Sequence, residues 1–273
     1  MALDAASWAV IAAMEPEASL VRGRLRQHQK QVVTEVGRLW RGRIGAHRVA
    51  LMRCGMGEAR AVAALQWLVQ HERLQGVLSI GFAGGLRPEL ATGDVLLVDR
   101  IQAWSKRTAP ENGEVRSERV IPNVRLTSLA DQAAQRAGLS RHRGLLLSHK
   151  TLVPSVLDKC ILGRRTGALA VDMESYWIGS LAVAHGLPFI CLRAVLDPCD
   201  TELNLPLEGL TTPDGGLRPS GTVMTVMRQP GLVKSFWMLW RLSSLTQRRL
   251  KVWLDHFWAL LSTISSEKDT QRP

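Results

Sequence analysis

Leu169-Ala170-Val171-Asp172-Met173-Glu174-Ser175 and, further on, Arg193-Ala194-Val195-Leu196-Asp197 decide how this chain is read. Each begins as an apolar, strand-like run and then reaches a carboxylate. A carboxylate at the end of a buried strand is costly to ionise unless it is paired or hydrogen-bonded. Open α/β sheets bind ligands beyond the carboxyl ends of their strands, so two such ends predict a site. The plainer alternative is that Asp172 and Glu174 cap the helix that follows, as acidic side chains do near a helix N-terminus.

Outward from these runs, strands and helices alternate. Ser7 to Ala13 reads as a buried strand, and Met14-Glu15-Pro16-Glu17 opens a helix with proline near its first turn. Val32 to Leu39 and Arg48 to Arg53 read as strands of a meander turned at Gly42-Arg43-Ile44-Gly45. Gly55-Met56-Gly57 ends the second of these, and Glu58 to His71 is helical. Gly76 to Ile80 is a buried strand running into Gly81-Phe82-Ala83-Gly84-Gly85, which reads as a loop because of its glycines. Further strands are expected over Gly93 to Val98, Gly144 to Ser148, Ala168 to Val171 and Pro188 to Val195. Helices are expected over Thr127 to Ala137 and from the carboxylates to Ala184. The alternation predicts an α/β protein with a helix-covered central sheet.

The 273 residues suit one large α/β domain with an extension. The predicted division is 1–204 for the domain and 205–273 for a linker and a helical extension, with Pro and Gly concentrated over Leu205 to Ser220. Cys54, Cys160, Cys191 and Cys199 form no CxxC pair, so a structural zinc site is not expected and the thiols read as reduced and mostly buried. The N-terminal apolar run has no basic region before it and does not read as a signal peptide. No apolar run reaches the roughly 18 residues of a spanning helix, so a cytoplasmic protein is expected, with any membrane contact peripheral.

The formal net charge of +11 points to an anionic partner. Beyond Pro230, Trp237, Trp240, Trp253 and Trp258 are interleaved with Lys234, Arg241, Arg248, Arg249 and Lys251. Tryptophan beside lysine and arginine is the composition of a helix lying on a lipid surface. The alternative is a helical tail packed on the domain or on a second subunit. Nucleic acid is not the expected partner, because bulky apolar residues interrupt the basic ones and no binding motif accompanies them.

Five motifs, Ala13-Met14-Glu15-Pro16-Glu17-Ala18, Gly55-Met56-Gly57, Gly81-Phe82-Ala83-Gly84-Gly85-Leu86 with Gly93-Asp94, and the two runs quoted first, stand in one order and spacing. In that register the chain resembles the purine nucleoside phosphorylase/nucleosidase superfamily, over roughly residues 7 to 200. It is similar to the 5′-methylthioadenosine/S-adenosylhomocysteine nucleosidases. Asp197-Pro198-Cys199-Asp200, Pro213-Asp214-Gly215 and Arg228-Gln229-Pro230-Gly231-Leu232 resemble the hopanoid-associated phosphorylase branch. The resemblance implies a three-layer fold with a mixed central sheet and a C-terminal helical extension. It implies release of adenine from a purine nucleoside, by water or by phosphate as cosubstrate, with no metal or organic cofactor. For the hopanoid branch the nucleoside is lipid-linked adenosylhopane, placing the protein at the inner face of the membrane. A homo-oligomer is implied as well. The alternatives are a soluble nucleosidase for methylthioadenosine and a non-catalytic peripheral membrane protein of the same fold.

Breaking an N-ribosidic bond puts positive charge on the ribose and negative charge on the base, which an acid and a second carboxylate counter, as in glycosidases. By resemblance, Asp197 is the acid for the purine and Glu17 activates water. Glu174 binds the ribose hydroxyls, and Met173 packs on the sugar. Leu152 and Val153 hold the base, with Leu152 in place of an aromatic, and Phe82, Ala83 and Gly84 line the site. Asp172 stands where the nucleosidases carry glutamate, without an assigned role. Gly55 and Gly57 beside Arg53 form a candidate anion cradle through backbone N–H groups at a helix start.

Overall fold

The computed structural model describes residues 6–104, 118–202 and 232–270, with side chains at 232–240 and 264–270 left aside. In chain order the elements are β1 (Ser7–Ala12), α1 (Glu15–Arg22), β2 (Arg26–Val33), β3 (Gly37–Ile44), β4 (His47–Arg53) and α2 (Glu58–His71). There follow β5 (Leu74–Gly85), β6 (Val95–Ala103), β7 (Arg119–Val120), α3 (Val124–Arg136), β8 (Arg141–Ser148) and α4 (Val156–Thr166). β9 (Ala170–Asp172), α5 (Ser175–Ala184), β10 (Phe189–Asp197) and α6 (Leu232–Thr270) complete the described chain.

One mixed sheet runs in the order β10-β6-β8-β9-β5-β1-β4-β3-β2, with β7 added on β6. β10 also pairs with β5, so β5, β10, β6, β8 and β9 close into a ring from which β1 to β4 lead off. Along one side of β5 the partner is β10 throughout. Along the other side it changes: β1 pairs with β5 up to Ser79, and β9 takes over at Gly84. Between them, Ile80 to Ala83 have no strand neighbour on that side, and the two chains diverge there. Such a divergence is where open α/β sheets form ligand crevices.

β1 is buried on both faces, as expected of a parallel strand between helix layers. Trp8, Val10 and Ala12 point into a core shared with α1, α3 and α6, while Ala9 and Ile11 point into the core under α2 and α5. This is the predicted three-layer arrangement. A third, smaller cluster lies under α4, formed by Leu86, Leu147, Val153, Leu162, Ala168 and Val171.

Three local expectations are corrected. Gly81 to Gly85 is strand, not loop, because β10 continues to pair with it from Arg193 to Asp197. Glycine serves there by leaving out a side chain: a Cβ on Gly81 would lie 2.8 Å from Glu17 Oε1, and one on Gly85 would lie 3.3 Å from Pro198 Cα. Val32 to Leu39 is not one strand but straddles a turn between β2 and β3, where Glu35 takes a positive φ of 65°. Gly42 to Ile44 accordingly lies inside β3, and the turn to β4 falls at Gly45 (φ 57°). Helix α4 was not expected at all. Its caps are nonetheless written in the sequence: Ser155 accepts the Asp158 N–H, and Gly167 closes the helix in the left-handed conformation.

The C-terminal tryptophans are also corrected. Leu250, Trp253, Leu254, Phe257, Trp258 and Leu261 recur at the spacing of one helix face and pack into the same core as β1 and β10. Trp253 is 0 % exposed and donates its indole N–H to the Ala130 carbonyl at 2.7 Å. Thr246 Oγ1 donates to the Val195 carbonyl at 3.0 Å, tying α6 to β10. Trp253 and Trp258 are therefore core residues, while Trp237 and Trp240 lie outside the described side chains. The linker over Leu205 to Ser220 and the boundary at 204 lie outside the described residues. No described helix is long and apolar enough to cross a membrane.

Trp253→Ala is expected to lower the unfolding free energy by about 3–5 kcal/mol, the range for deleting a buried aromatic. Urea unfolding followed by circular dichroism measures it, and a loss under about 1 kcal/mol would contradict the core role of α6.

Candidate active site

The crevice beside β5 is built from carboxylates delivered by three chain turns. The first follows β1. Pro16 near the start of α1 and the backbone at Ala13 and Met14 turn Glu17 back under its own helix. Glu17 Oε2 accepts the N–H groups of Ala13 (3.0 Å) and Met14 (2.9 Å). Oε1 accepts the Phe82 N–H at 3.0 Å, across the sheet on β5. The side chain is buried, and burial raises its pKa against the pull of the Met14 N–H and of Arg193.

The second turn joins β9 to α5. Asp172 takes the capping role foreseen as its alternative, accepting the Ser175 N–H and hydroxyl. It also accepts from Ser148 Oγ (2.5 Å) and from Arg193 Nε (2.9 Å). Glu174 does not cap. Its side chain crosses to α2 and accepts the Gly57 N–H at 2.7 Å. Burial, then the charge of Asp172, push the Glu174 carboxyl up to about 8.

Arg193 ties these groups together. It is 2 % exposed, donates from Nη2 to Ser79 Oγ at 2.7 Å, and faces both Asp172 and Glu17. Burial opposes its charge, but the carboxyls of Asp172, Glu17 and Glu174 push its pKa up, so it stays a cation. The same burial raises the Cys191 thiol to about 11 and keeps it neutral.

The third turn follows β10. Asp197 is 4 % exposed and sits against Gly84, where an added Cβ would meet Oδ2 at 3.2 Å and Val171 Cγ1 at 3.5 Å. Gly84 is therefore the point where the β9 turn bearing Glu174 and the β10 end bearing Asp197 come together on one strand. Lys159, from α4, places Nζ 2.5 Å from Asp197 Oδ2. Burial raises the Asp197 pKa and the lysine pulls it back down.

The other residues singled out from sequence fall as follows. Phe82, Ala83 and Gly84 lie on β5, in the stretch that carries Glu17 at one end and Asp197 at the other. Met173 is half-buried between Asp172 and Glu174. Val153 is buried in the cluster under α4, whereas Leu152 is 38 % exposed on the loop after β8. The anion cradle is already engaged within the chain: Gly57 donates to Glu174, Gly55 N–H bonds the Ala13 carbonyl, and Arg53 pairs with Glu15. Sequence reasoning missed Arg193, Ser79 and Lys159 as members of the site. Arg193 lay inside a quoted motif, but nothing local to Lys159 marks it. Among the described residues no group of three or more His, Cys, Asp or Glu side chains is placed to hold a metal ion.

The whole architecture matches solved nucleosidases. Over 93 % of this chain and 98 % of the other, it superposes on the Neisseria meningitidis 5′-methylthioadenosine/S-adenosylhomocysteine nucleosidase in complex with methylthio-immucillin-A, at 21 % identity and a TM-score of 0.71. The Campylobacter jejuni nucleosidase of the same name covers 95 % and 100 % of the two chains at 16 % identity and a TM-score of 0.72. The Colwellia psychrerythraea nucleosidase in complex with adenine covers 96 % and 98 % at 16 % identity and 0.72. At these identities the likeness establishes the fold. The family follows from the sequence itself: residues 7–220, which include all three acidic turns, match the phosphorylase superfamily model, and the chain belongs to that superfamily.

Proposed function

We propose that this protein cleaves the N-ribosidic bond of a purine nucleoside and releases adenine. The observation that carries the reading is that buried Glu17 and Asp197 lie against Gly81–Phe82 and Gly84 of β5, while buried Glu174 feels the charges of Glu17 and Arg193. Asp197, whose pKa burial raises, is the acid assigned to the departing base. Glu174 grips the ribose hydroxyls. Burial and the Asp172 charge raise its pKa to about 8, and a neighbouring sugar cation draws it back down, so that the carboxylate form counters the oxocarbenium charge. Met173 packs on the sugar, and Val153 with Leu152 holds the base by apolar contact.

Water is the nucleophile favoured here, with Glu17 as its base. A phosphate at the Gly55–Gly57 turn would face Glu15 on Arg53 and Glu174 on the Gly57 N–H. The Gly55 and Gly57 N–H groups already bond the Ala13 carbonyl and Glu174, so neither backbone donor is free for it. The substrate we favour is lipid-linked adenosylhopane, on the resemblance to the hopanoid-associated branch. Arg241, Arg248, Arg249 and Lys251 are exposed along α6 and form the surface offered to anionic lipid. The second reading is methylthioadenosine, favoured by the full-length likeness to nucleosidases named for it.

Incubation with adenosylhopane and with methylthioadenosine, each with and without phosphate, tests these readings by mass analysis of the sugar product. Adenine and free ribosyl product from adenosylhopane are expected. Adenine from methylthioadenosine alone would select the second reading, and a phosphorylated sugar would overturn the choice of water. Asp197→Asn should fold but lose about 10²–10⁴-fold in kcat, the usual worth of a general acid. Wild-type turnover in that variant would remove the role.

Glu174 also links stability to pH. Its proton is held in the native state after the unfolded chain has released it, so stability declines as pH climbs from the ordinary carboxyl range through about 8. Glu174→Gln should melt with wild type near pH 4 and roughly 2–4 °C or more above it at pH 9. Calorimetric scans across that range check this, and equal melting at pH 9 refutes it.

For the lipid surface, replacing Arg241, Arg248 and Lys251 by glutamate leaves the buried face of α6 intact. Co-sedimentation with phosphatidylglycerol vesicles should drop sharply, and more so at low salt. Binding equal to wild type would reject this surface.

A further inference from the structure

Lys159 is a fully buried lysine near the start of α4, 0 % exposed. A charged ammonium is rarely sealed in a protein unless it is paired and hydrogen-bonded. All three of its donors are directed at the turn that carries Asp197: Nζ lies 2.5 Å from Asp197 Oδ2, 2.7 Å from the Thr201 carbonyl and 3.2 Å from the Pro198 carbonyl. The helix brings it there by steric necessity as well. Gly163, one turn on, lies so close to β5's end that a Cβ would sit 2.3 Å from the Leu86 carbonyl oxygen. α4 is thereby pressed against the strand ends, with Lys159 on the same face.

We propose that Lys159 is a positioning residue for proton delivery: its ammonium holds Oδ2 of Asp197, leaves Oδ1 to carry the proton to the leaving base, and neutralises the carboxylate left behind. The inference rests on the N-ribosidic cleavage proposed above. In the step itself, the electron pair of the C1′–N9 bond passes into the purine. The Oδ1–H bond of Asp197 breaks as the N7–H bond forms, and Asp197 becomes a carboxylate paired with the Lys159 ammonium. Solvent water returns the proton after the base departs. Without Lys159, the same transfer would leave a buried carboxylate without its cation.

The titratable and charged groups that face this pair are few. β10 contributes Asp197 itself, and the turn after it contributes Cys199 and Asp200. On α4, Asp158 and Cys160 flank the lysine, and β5 offers only the backbone of Gly84. Burial raises the acid and the lysine, ahead of a backbone hydrogen bond, lowers it, so removing the lysine takes away the larger opposition to burial.

The test combines two measurements on the full chain. The first is a ¹³C NMR titration of aspartate carboxyl carbons without substrate, with Asp197 assigned by its loss in Asp197→Asn, together with the ¹⁵N shift of Lys159 Nζ. The second is the pH dependence of kcat and KM for adenine release. Lys159→Gln should move the Asp197 titration, and the alkaline limb of kcat with it, to higher pH by about one unit or more. It should lower kcat about 10–100-fold while KM stays within about threefold. Lys159→Arg should restore most of the kcat and bring the limb back. An unmoved titration in Lys159→Gln, or a loss of kcat with an unchanged pH profile, overturns the proposal. Should Lys159→Gln fail to fold, the wild-type ¹⁵N shift decides: a charged, hydrogen-bonded ammonium at neutral pH supports the pair, and a neutral amine overturns it. If the wild type releases no base, the cleavage reading fails, while the NMR arm still reports whether Lys159 and Asp197 are coupled.

Discussion

The site depends on one buried cation. Arg193 stands in the middle of β10 with Asp172 on one side and Glu17 on the other, and Glu174 within its field. Three carboxyl groups and one guanidinium so little exposed to solvent cannot all be charged and balanced. The arrangement resolves this by sharing. Asp172 takes the direct bond to Arg193, Glu17 is held by three backbone N–H groups, and Glu174 keeps its proton up to about 8. The unequal partners give chemically similar side chains different protonation states, which is what acid–base work on a nucleoside requires.

Close approach of strands makes that packing feasible. β5 loses its neighbour β1 after Ser79 and gains β9 at Gly84. In the interval its glycines leave room for the Glu17 carboxylate, the Arg193 guanidinium and the Asp197 carboxylate to lie directly on the strand. Any side chain at Gly81 would displace Glu17 and Arg193 together. The glycines serve here through the missing Cβ, since none of Gly81, Gly84 and Gly85 adopts a positive φ.

The C-terminal helix shows how composition misleads when the burial of a face is unknown. Tryptophan among lysines and arginines fits a lipid surface equally well as a helix with an aromatic inner face and a basic outer one. In α6 the spacing of Leu250, Trp253, Leu254, Phe257 and Trp258 is that of a packed face, and Arg248, Arg249 and Lys251 lie outward. Truncating the chain after Arg228 would therefore remove core, not a detachable tail. Any membrane contact falls to the basic outer side.

Local sequence specifies most of the strand–helix alternation, α4 and the β2–β3 turn excepted, together with the acidic ends of β9 and β10, the turn that carries Glu17, and the superfamily. These are local patterns: apolar runs, caps and motifs that a single stretch of chain expresses. Only the tertiary structure decided that Gly81 to Gly85 is strand, that Gly57 bonds Glu174, that Arg193 joins three acids, and that Lys159 backs Asp197. Each of these joins residues far apart in the chain. A backbone group or a buried charge takes its energy from whatever partner the fold brings to it, and no local pattern encodes that partner.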